Sequence, residues 1–251
     1  MESIYILMRY GILIDGSYRN EKKKIQLKPA EIDDYNFQVE KAFKEIVKRK
    51  TGQIIVEGIH SSGWPIVVMP YLGKDCNNLT NAYPEMHRGL VNVLIGFTPD
   101  QPCDSDPKSK EFKAGGTPAE SLFHELVHAF RYVTEKGSKR KGPLNPYLPT
   151  ALKNYPEYDI VEDFFAVLIA NIFASETGRP LRANHDDLEA LPSHLSTNES
   201  FLAVEEYARL VRQFCVDHTS VSQQFRDVPS AFNPIKEVLI GQGYQYLLNA
   251  R

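Results

Sequence analysis

The chain is short of cysteine, of net charge and of long hydrophobic runs. Its 3 cysteines among 251 residues are widely spaced and none belongs to a C-x-x-C pair, so a disulfide framework is not expected and a reducing compartment is favoured. The formal net charge of −3 gives no electrostatic argument for nucleic acid binding. No apolar segment reaches the roughly 20 residues of a membrane span, and the first residues lack the features of a secretory signal peptide. We therefore expect a cytoplasmic protein, or one exported without a signal peptide, that has no nucleic acid partner and no membrane span.

The apolar content predicts a single domain over residues 1–251. Hydrophobic residues make up 42% of the chain, which is enough for a substantial core. Short apolar runs predict strands, and a helical spacing of apolar residues predicts a helix; the strands cover residues 4–7, 11–14, 53–59, 65–71 and 90–97, and the helix covers 29–50. The strand over 90–97 either lies at an edge, where it could pair with an extended peptide, or lies inside the sheet. We expect an α+β fold with a sheet-containing part over 1–116 and a helical part over 117–251.

The segment TPAESLFHELVHAFRY, residues 117–132, carries the one motif that names a chemistry. His124, Glu125 and His128 form H-E-x-x-H, and residues four apart lie on the same face of a helix, so both imidazoles can reach one Zn²⁺. Glu125 lies about 100° around the helix axis from His124, where it can take a proton from a water molecule at the metal. The motif predicts a zinc site with His124 and His128 as ligands and Glu125 as the general base.

Local signals support a helix at this motif. Thr117 is a good N-cap, Pro118 suits the first helical position, and Glu120 completes a T-x-x-E capping box. Apolar residues lie around much of the helix, namely Leu122, Phe123, Leu126, Val127, Phe130 and Val133. Burial of two imidazoles and a carboxylate requires partners for these groups, and a metal ion provides them.

A catalytic zinc needs a third protein ligand from elsewhere in the chain. The extended motif H-E-x-x-H-x-x-G-x-x-H is excluded, because Arg131 and Thr134 stand where it needs Gly and His. The next predicted helix, over 158–176, carries two acids near its start. On a helical projection Glu162 falls on the shoulder of the apolar face, whereas Asp163 points away from it. We therefore predict Glu162 as the third ligand.

Several other residues are candidates for supporting roles. Asn171 and Glu176 could orient the ligating histidines, which usually donate their second N–H to an oxygen. His185 lies in an H-D-D loop that could approach the metal, although a solvent-exposed loop is the alternative. A tyrosine near the metal could donate to a developing oxyanion, and the candidates are Tyr147, Tyr155 and Tyr158. Farther on, an S-x-x-E capping box predicts a helix over 196–216, and Pro234 begins a last helix.

The two motif-bearing stretches resemble a known group of enzymes. HELVHAF followed by a helix beginning EDFFA resembles the zincin metallopeptidases of the gluzincin type, in which a Glu on the next helix is the third ligand. Over residues 90–182, GTPAESLFHELVHAFRY and VEDFFAVLIANIFASETGRPLR are similar to the NleD-like bacterial effector or toxin-associated peptidases. The resemblance implies His124 and His128 as ligands, Glu125 as base and an acid of EDFFA as third ligand. A zincin whose ligand directly precedes FFA makes Asp163 the alternative to Glu162.

Members of the NleD-like family are delivered into host cells and cut host signalling proteins. The resemblance therefore implies a translocated effector or toxin with a protein or peptide substrate. Together with the motif, it predicts a zinc-dependent metalloendopeptidase with a zincin-like α+β fold. Two other classes stay open: a non-catalytic zinc-containing binding protein, which a fourth protein ligand such as His185 would favour, and a zinc hydrolase of a non-peptide substrate.

Overall fold

The computed structural model describes residues 4–7, 10–20, 25–71, 79–87, 90–99, 113–134, 161–185 and 189–241. Within this part of the chain, eight α-helices and a sheet with three parallel strands confirm the mixed α+β class. The chain divides into two compact units, described here one at a time. The first comprises Met1–Lys48, Ile55–Phe112 and Gly116–Asn145, and the second comprises Arg49–Ile54, Lys113–Gly115 and Pro146–Arg251. The zincin-like fold and the single domain remain predictions.

The first unit contains a five-stranded sheet. The strands of the unit are β1 Ile4–Leu7, β2 Ile12–Asp15, β3 Arg19–Asn20, β4 Ile25–Gln26, β5 Ile66–Pro70, β6 Leu79–His87 and β7 Leu90–Phe97. The order across the larger sheet is β1-β2-β5-β7-β6, and β3 pairs with β4 separately. β2, β5 and β7 are parallel, while β1 and β6 pair antiparallel at the two edges. The pairing of Ile4 with Asp15 joins the two strands predicted over 4–7 and 11–14 in an antiparallel hairpin.

The strand predicted over 90–97 is β7, and it lies inside the sheet. Val93 pairs with Ile66 of β5, and β6 pairs with the other side of β7. The edge alternative is therefore wrong for β7, and the interior alternative is confirmed. β6, which the sequence pattern does not predict, is an edge strand of this sheet within the described part of the chain. Its register shifts between Asn81 and Pro84, and a proline without an N–H suits an edge strand.

A helix replaces one of the predicted strands. Three helices belong wholly or mainly to the first unit, namely α1 Pro29–Val47, α2 Lys50–Ser62 and α3 Pro118–Thr134. α1 confirms the helix predicted over 29–50, but the strand predicted over 53–59 is wrong because these residues lie in α2. A short apolar run fits either a strand or a buried helix, and its members Ile54, Ile55, Val56 and Ile59 are all buried. A Cβ at Gly58 would lie 2.5 Å from Cε2 of Phe130, so the glycine allows α2 and α3 to approach closely.

The predicted capping box begins α3. The backbone N–H of Glu120 donates to Oγ1 of Thr117 at 3.2 Å, and the backbone N–H of Thr117 donates to Oε2 of Glu120 at 3.0 Å. The Thr117 hydroxyl also donates to the same carboxylate at 2.8 Å. α3 packs against α1 and against strands β6 and β7. This reciprocal capping fixes where the helix starts, and hence where the H-E-x-x-H residues lie along it.

The second unit is built around a helix that is buried on nearly every side. Its helices are α4 Val161–Glu176, α5 Asn198–Leu202, α6 Glu205–Asp217, α7 Thr219–Gln224 and α8 Pro234–Ile240. Phe164 of α4 has ring centroids of Phe201 and Tyr207 at 6.1 and 5.2 Å, and Phe165 has that of Phe214 at 5.6 Å. An aromatic core therefore joins α4 to α5 and α6. Among the described residues, no helix has the combination of length and apolar character that a membrane crossing requires.

The first of the two predicted C-terminal helices begins one residue later than predicted. Thr197, rather than Ser196, is the N-cap of α5, because its Oγ1 accepts the backbone N–H of Ser200 at 3.1 Å. The Ser196 hydroxyl donates instead to the carbonyl of Ser193 at 2.8 Å. The helix predicted over 196–216 is also interrupted, since extended backbone at Val204 separates α5 from α6. Pro234 begins α8 as predicted, after an Asn233 N-cap.

Candidate metal centre

α3 brings the two histidines of the motif together. Nε2 of His124 and Nε2 of His128 are 3.2 Å apart, and the two rings stand nearly perpendicular at 84°. His124 is 4% exposed, and His128 is partly buried. The spacing of four residues therefore does what the sequence predicts, which is to aim two ring nitrogens at one point.

This separation fits a shared zinc ion. Two Zn–N bonds of the usual length at a tetrahedral angle place the two nitrogens about 3.3 Å apart. The observed 3.2 Å matches this value without any movement of the helix. The same distance also suits a hydrogen bond between the rings, in which one imidazole donates and the other accepts. The donor set fits zinc by distance, because both ring nitrogens could reach one ion without a change in their separation.

Glu125, which directly follows His124 in sequence, is also buried. It is 6% exposed, although carboxylates are rarely buried without a specific partner. Its place on α3, one residue after His124, turns it to a neighbouring face of the helix. A base that takes a proton from water needs this arrangement, in which it is close to the ligands without being one of them.

The two acids of EDFFA lie in the first turn of α4. Glu162 is 4% exposed and Asp163 is 7% exposed. The prediction that Asp163 faces away from the buried side is wrong, because α4 is apolar around most of its circumference and has no solvent-facing stripe at this end. The helical projection therefore does not separate the two acids, and either carboxylate remains a candidate for the third ligand.

Asp163 instead has a specific neighbour, His185. Oδ1 of Asp163 and Nε2 of His185 are 3.5 Å apart. The His185 side chain is 34% exposed, so the loop alternative in which it is freely solvated is replaced by a half-buried histidine against a buried acid. The structure thus gives one pair of candidate residues in each unit, His124 with His128 and Asp163 with His185.

The other candidates have different fates. The two carboxylate oxygens of Glu176 accept the backbone N–H groups of Lys50 and Thr51 at 2.6 and 2.9 Å, so this side chain caps the start of α2. Asn171 binds the backbone of Arg182 on both its N–H and its carbonyl. The three tyrosine candidates lie outside the described residues, and they are Tyr147, Tyr155 and Tyr158.

Within the described part of the chain, Cys215 belongs to no group of three or more side chains that could hold a metal ion. The cysteine lies buried in α6, and burial raises the pKa of its thiol to about 12, with a hydrogen bond from Ser222 acting in the opposite direction.

Arg182 is a residue whose part the sequence patterns miss. It follows the helix-ending Gly178 in the run GRPLR, and its guanidinium Nη2 donates to the carbonyl of His185. The available signal is Asn171, a buried amide in an otherwise apolar helix, since such a group requires specific hydrogen-bond partners.

Comparisons of the chain with protein-family models, with curated proteins and with solved structures each gave no match. A functional proposal for the chain therefore depends on the chemistry of its own residues.

Proposed function

We propose that this protein is a zinc-dependent endopeptidase that hydrolyses peptide bonds of a protein substrate. The observation that carries the proposal is the 3.2 Å separation of the His124 and His128 ring nitrogens on a buried, capped helix. Glu125, the residue that completes the motif, is buried on the same helix. Two imidazoles and a carboxylate in the interior of a protein need partners, and a shared metal ion would supply one.

The residues divide the work of hydrolysis between them. His124 and His128 would hold the ion, and the sequence predicts Glu162 or Asp163 as the third ligand. When bound, zinc makes a water molecule more acidic and polarises the carbonyl group of the substrate. Glu125 takes the proton of the attacking water and passes it to the nitrogen of the leaving amine. The resemblance to NleD-like peptidases supports a protein substrate and a translocated effector or toxin.

Glu125→Gln tests the base. The amide keeps the shape of the side chain but cannot accept a proton, so we expect zinc content to stay at the wild-type level. Cleavage of a quenched fluorescent peptide library should fall by about 10²- to 10⁴-fold. Glu57→Gln on the exposed face of α2 is the matched control and should cleave as the wild type does. Wild-type turnover in Glu125→Gln would refute its role.

His124→Ala tests the metal. Zinc measured by mass spectrometry after dialysis should be lost together with cleavage, because one of two converging ligands is removed. Full zinc occupancy in this variant would mean that the histidine pair does not bind the ion.

A closed, non-catalytic zinc site is the second candidate. A fourth protein ligand, for which the sequence suggests His185, would occupy the position that a catalytic zinc leaves to water. A peptide hydroxamate added to the cobalt-substituted protein separates the two functions. A change in the visible spectrum indicates an open position and catalysis, whereas an unchanged spectrum indicates a closed site.

A further inference from the structure

A cavity in the second unit lies where three segments meet. The end of α4 with the turn that follows it, the start of α5 and the chain that enters α8 line a space of about 950 Å³. Sites for small ligands in proteins have volumes of roughly 300–1,000 Å³. All of the lining residues belong to the second unit, and none of them is a candidate for the zinc site. The cavity is therefore a feature of this unit alone.

Hydrogen bonds between side chains and backbone join the walls of the cavity. Oγ of Ser175, at the end of α4, accepts the N–H of Phe232 at 2.8 Å. Oδ1 of Asn198, the first residue of α5, accepts the N–H of Asn233 at 2.6 Å, and its Nδ2 donates to the carbonyl of Ala231 at 3.3 Å. The chain that enters α8 is thus attached to both of the other walls, so the cavity does not require a ligand in order to form.

Apolar side chains supply part of the lining. Leu181 and Leu202 are partly buried, Pro180 is exposed, and Phe232 is 2% exposed. A hydrocarbon chain that packs against these residues leaves water, which is favourable. The cavity accordingly suits a ligand that has an apolar part.

The charges at the cavity are mainly negative. Glu199 of α5 and Glu237 of α8 line it and are exposed, and within the described part of the chain neither carboxylate forms an ion pair. Arg179 is the one cationic side chain among the described lining residues, and its Nη2 donates to the carbonyl of Lys113 at 3.0 Å rather than to either carboxylate. The carbonyl end of α4 lies at the same cavity and adds partial negative charge. The cavity therefore complements a positively charged group.

We propose that this cavity binds an organic cation, namely an ammonium or guanidinium group on an apolar stem. The stem packs against Leu181 and Leu202, and the charged group pairs with Glu199 and Glu237. The side chains of lysine and arginine combine these two features, since their stems lie along apolar surface while the charge stays at a polar rim. A free alkylamine has the same chemistry. The inference goes beyond the proposed function, because no zinc ligand or general base takes part in it.

Dissociation constants of small probes test the charge and the stem. In NMR titrations of the full chain at low ionic strength, hexylammonium should bind about 5-fold or more tightly than 1-hexanol, which has the same stem without the charge. Ethylammonium, which keeps the charge on a shorter stem, should bind about 10-fold or more weakly than hexylammonium. Equal affinity of hexylammonium and 1-hexanol overturns the inference, and so does equal affinity of hexylammonium and ethylammonium.

Variants of the two carboxylates locate the binding site. Glu199→Gln and Glu237→Gln should each weaken hexylammonium binding about 2- to 5-fold, and the double variant should weaken it further. Glu205→Gln, on the exposed surface of α6 and outside the cavity, is the matched control for the loss of one negative charge and should bind as the wild type does. Wild-type affinity in the double variant, or an equal loss in Glu205→Gln, overturns the assignment of the cation to this cavity.

A peptide probe distinguishes the two sources of the cation. The peptide acetyl-Leu-Lys-Leu-amide is compared with acetyl-Leu-Gln-Leu-amide in the Glu125→Gln protein, where the peptide stays intact. Tighter binding of the lysine peptide than of hexylammonium, lost in the double variant, assigns the cavity to a basic peptide segment; weaker binding assigns it to a free amine. The zinc content of Glu199→Gln and Glu237→Gln should equal that of the wild type, so a failure of this inference leaves the proposed zinc site as it stands.

Discussion

The helix α3 starts at a capping box formed by residues close together in sequence, whereas α4 is apolar around most of its circumference. In α3 the hydrogen bonds between Thr117 and Glu120 fix the start of the helix, and the spacing of His124 and His128 fixes their convergence. In α4 no exposed stripe shows which side Glu162 or Asp163 faces. Local sequence signals are sufficient to predict where a capped helix starts and which side each residue faces. The faces of a fully buried helix are instead set by the elements packed around it.

The largest expected effect sharpens this contrast at the core of α4. Phe164→Ala should lower the free energy of unfolding by about 3–5 kcal/mol, because it opens a cavity among Phe165, Phe201 and Tyr207. Urea unfolding of the zinc-free protein measures the change. Phe37→Ala is the matched control, since Phe37 is 60% exposed and should change stability by less than about 0.5 kcal/mol. Equal losses in the two variants would show that α4 is not the core of its unit.

A smaller effect is expected from the side-chain amide of Asn171, which attaches the backbone of Arg182 to α4. Asn171→Ala leaves the backbone N–H and carbonyl of Arg182 without their side-chain partners, which should cost about 1–3 kcal/mol in urea unfolding. Gln213→Ala removes only exposed hydrogen bonds to Asp217 and serves as the control. A stability loss no larger than that of Gln213→Ala would contradict the assigned anchoring role.

At the start of α3, the capping box predicts a loss of about 1 kcal/mol for Thr117→Ala. The substitution removes the oxygen that accepts the Glu120 N–H, and Thr117→Ser should restore most of the stability because it keeps that oxygen. Thermal unfolding of the three proteins gives the comparison. Were the serine variant as unstable as the alanine variant, the methyl group rather than the hydrogen bond would be the stabilising part.

The smallest effect is expected at the surface of α6. The Arg209 hydrogen bond lowers the pKa of Glu206 below its usual range, so the folded pKa lies below the unfolded one. The stability from this pair is therefore present above the unfolded pKa and is lost as the pH falls through the folded pKa. Glu206→Gln should cost about 0.3–0.5 kcal/mol at neutral pH, and the difference should vanish in acid. Glu205→Gln removes the carboxylate of the exposed neighbour, leaves the Glu206–Arg209 pair intact and is the matched control.

Sequence patterns predicted the elements whose signals are local. The strands β1, β2 and β7 and the capped start of α3 all follow from adjacent residues or short apolar runs, although the interior position of β7 does not. Residues 53–59 of α2 were predicted as a strand because they contain a run of β-branched residues. The run is instead buried in a helix against α3, and only tertiary packing decides between a strand and a helix here.

Candidate site residues show the same division. The convergence of His124 and His128 could be predicted from a spacing of four residues on a helix. The approach of His185 to Asp163 could not, because it depends on Asn171 and on hydrogen bonds between segments that no periodicity reveals. His185 and Asp163 come together only because the chain after α4 folds back onto this helix.

The cap that Glu176 forms on α2 has a consequence for local unfolding. The last residue of α4 accepts the N–H groups of Lys50 and Thr51, more than a hundred residues earlier in the chain. Amide hydrogens in the first turn of a helix ordinarily exchange with solvent quickly, because no carbonyl of the helix protects them. Here the exchange of these two amides requires the end of α4 to release its carboxylate, so their deuterium uptake reports the opening of α4.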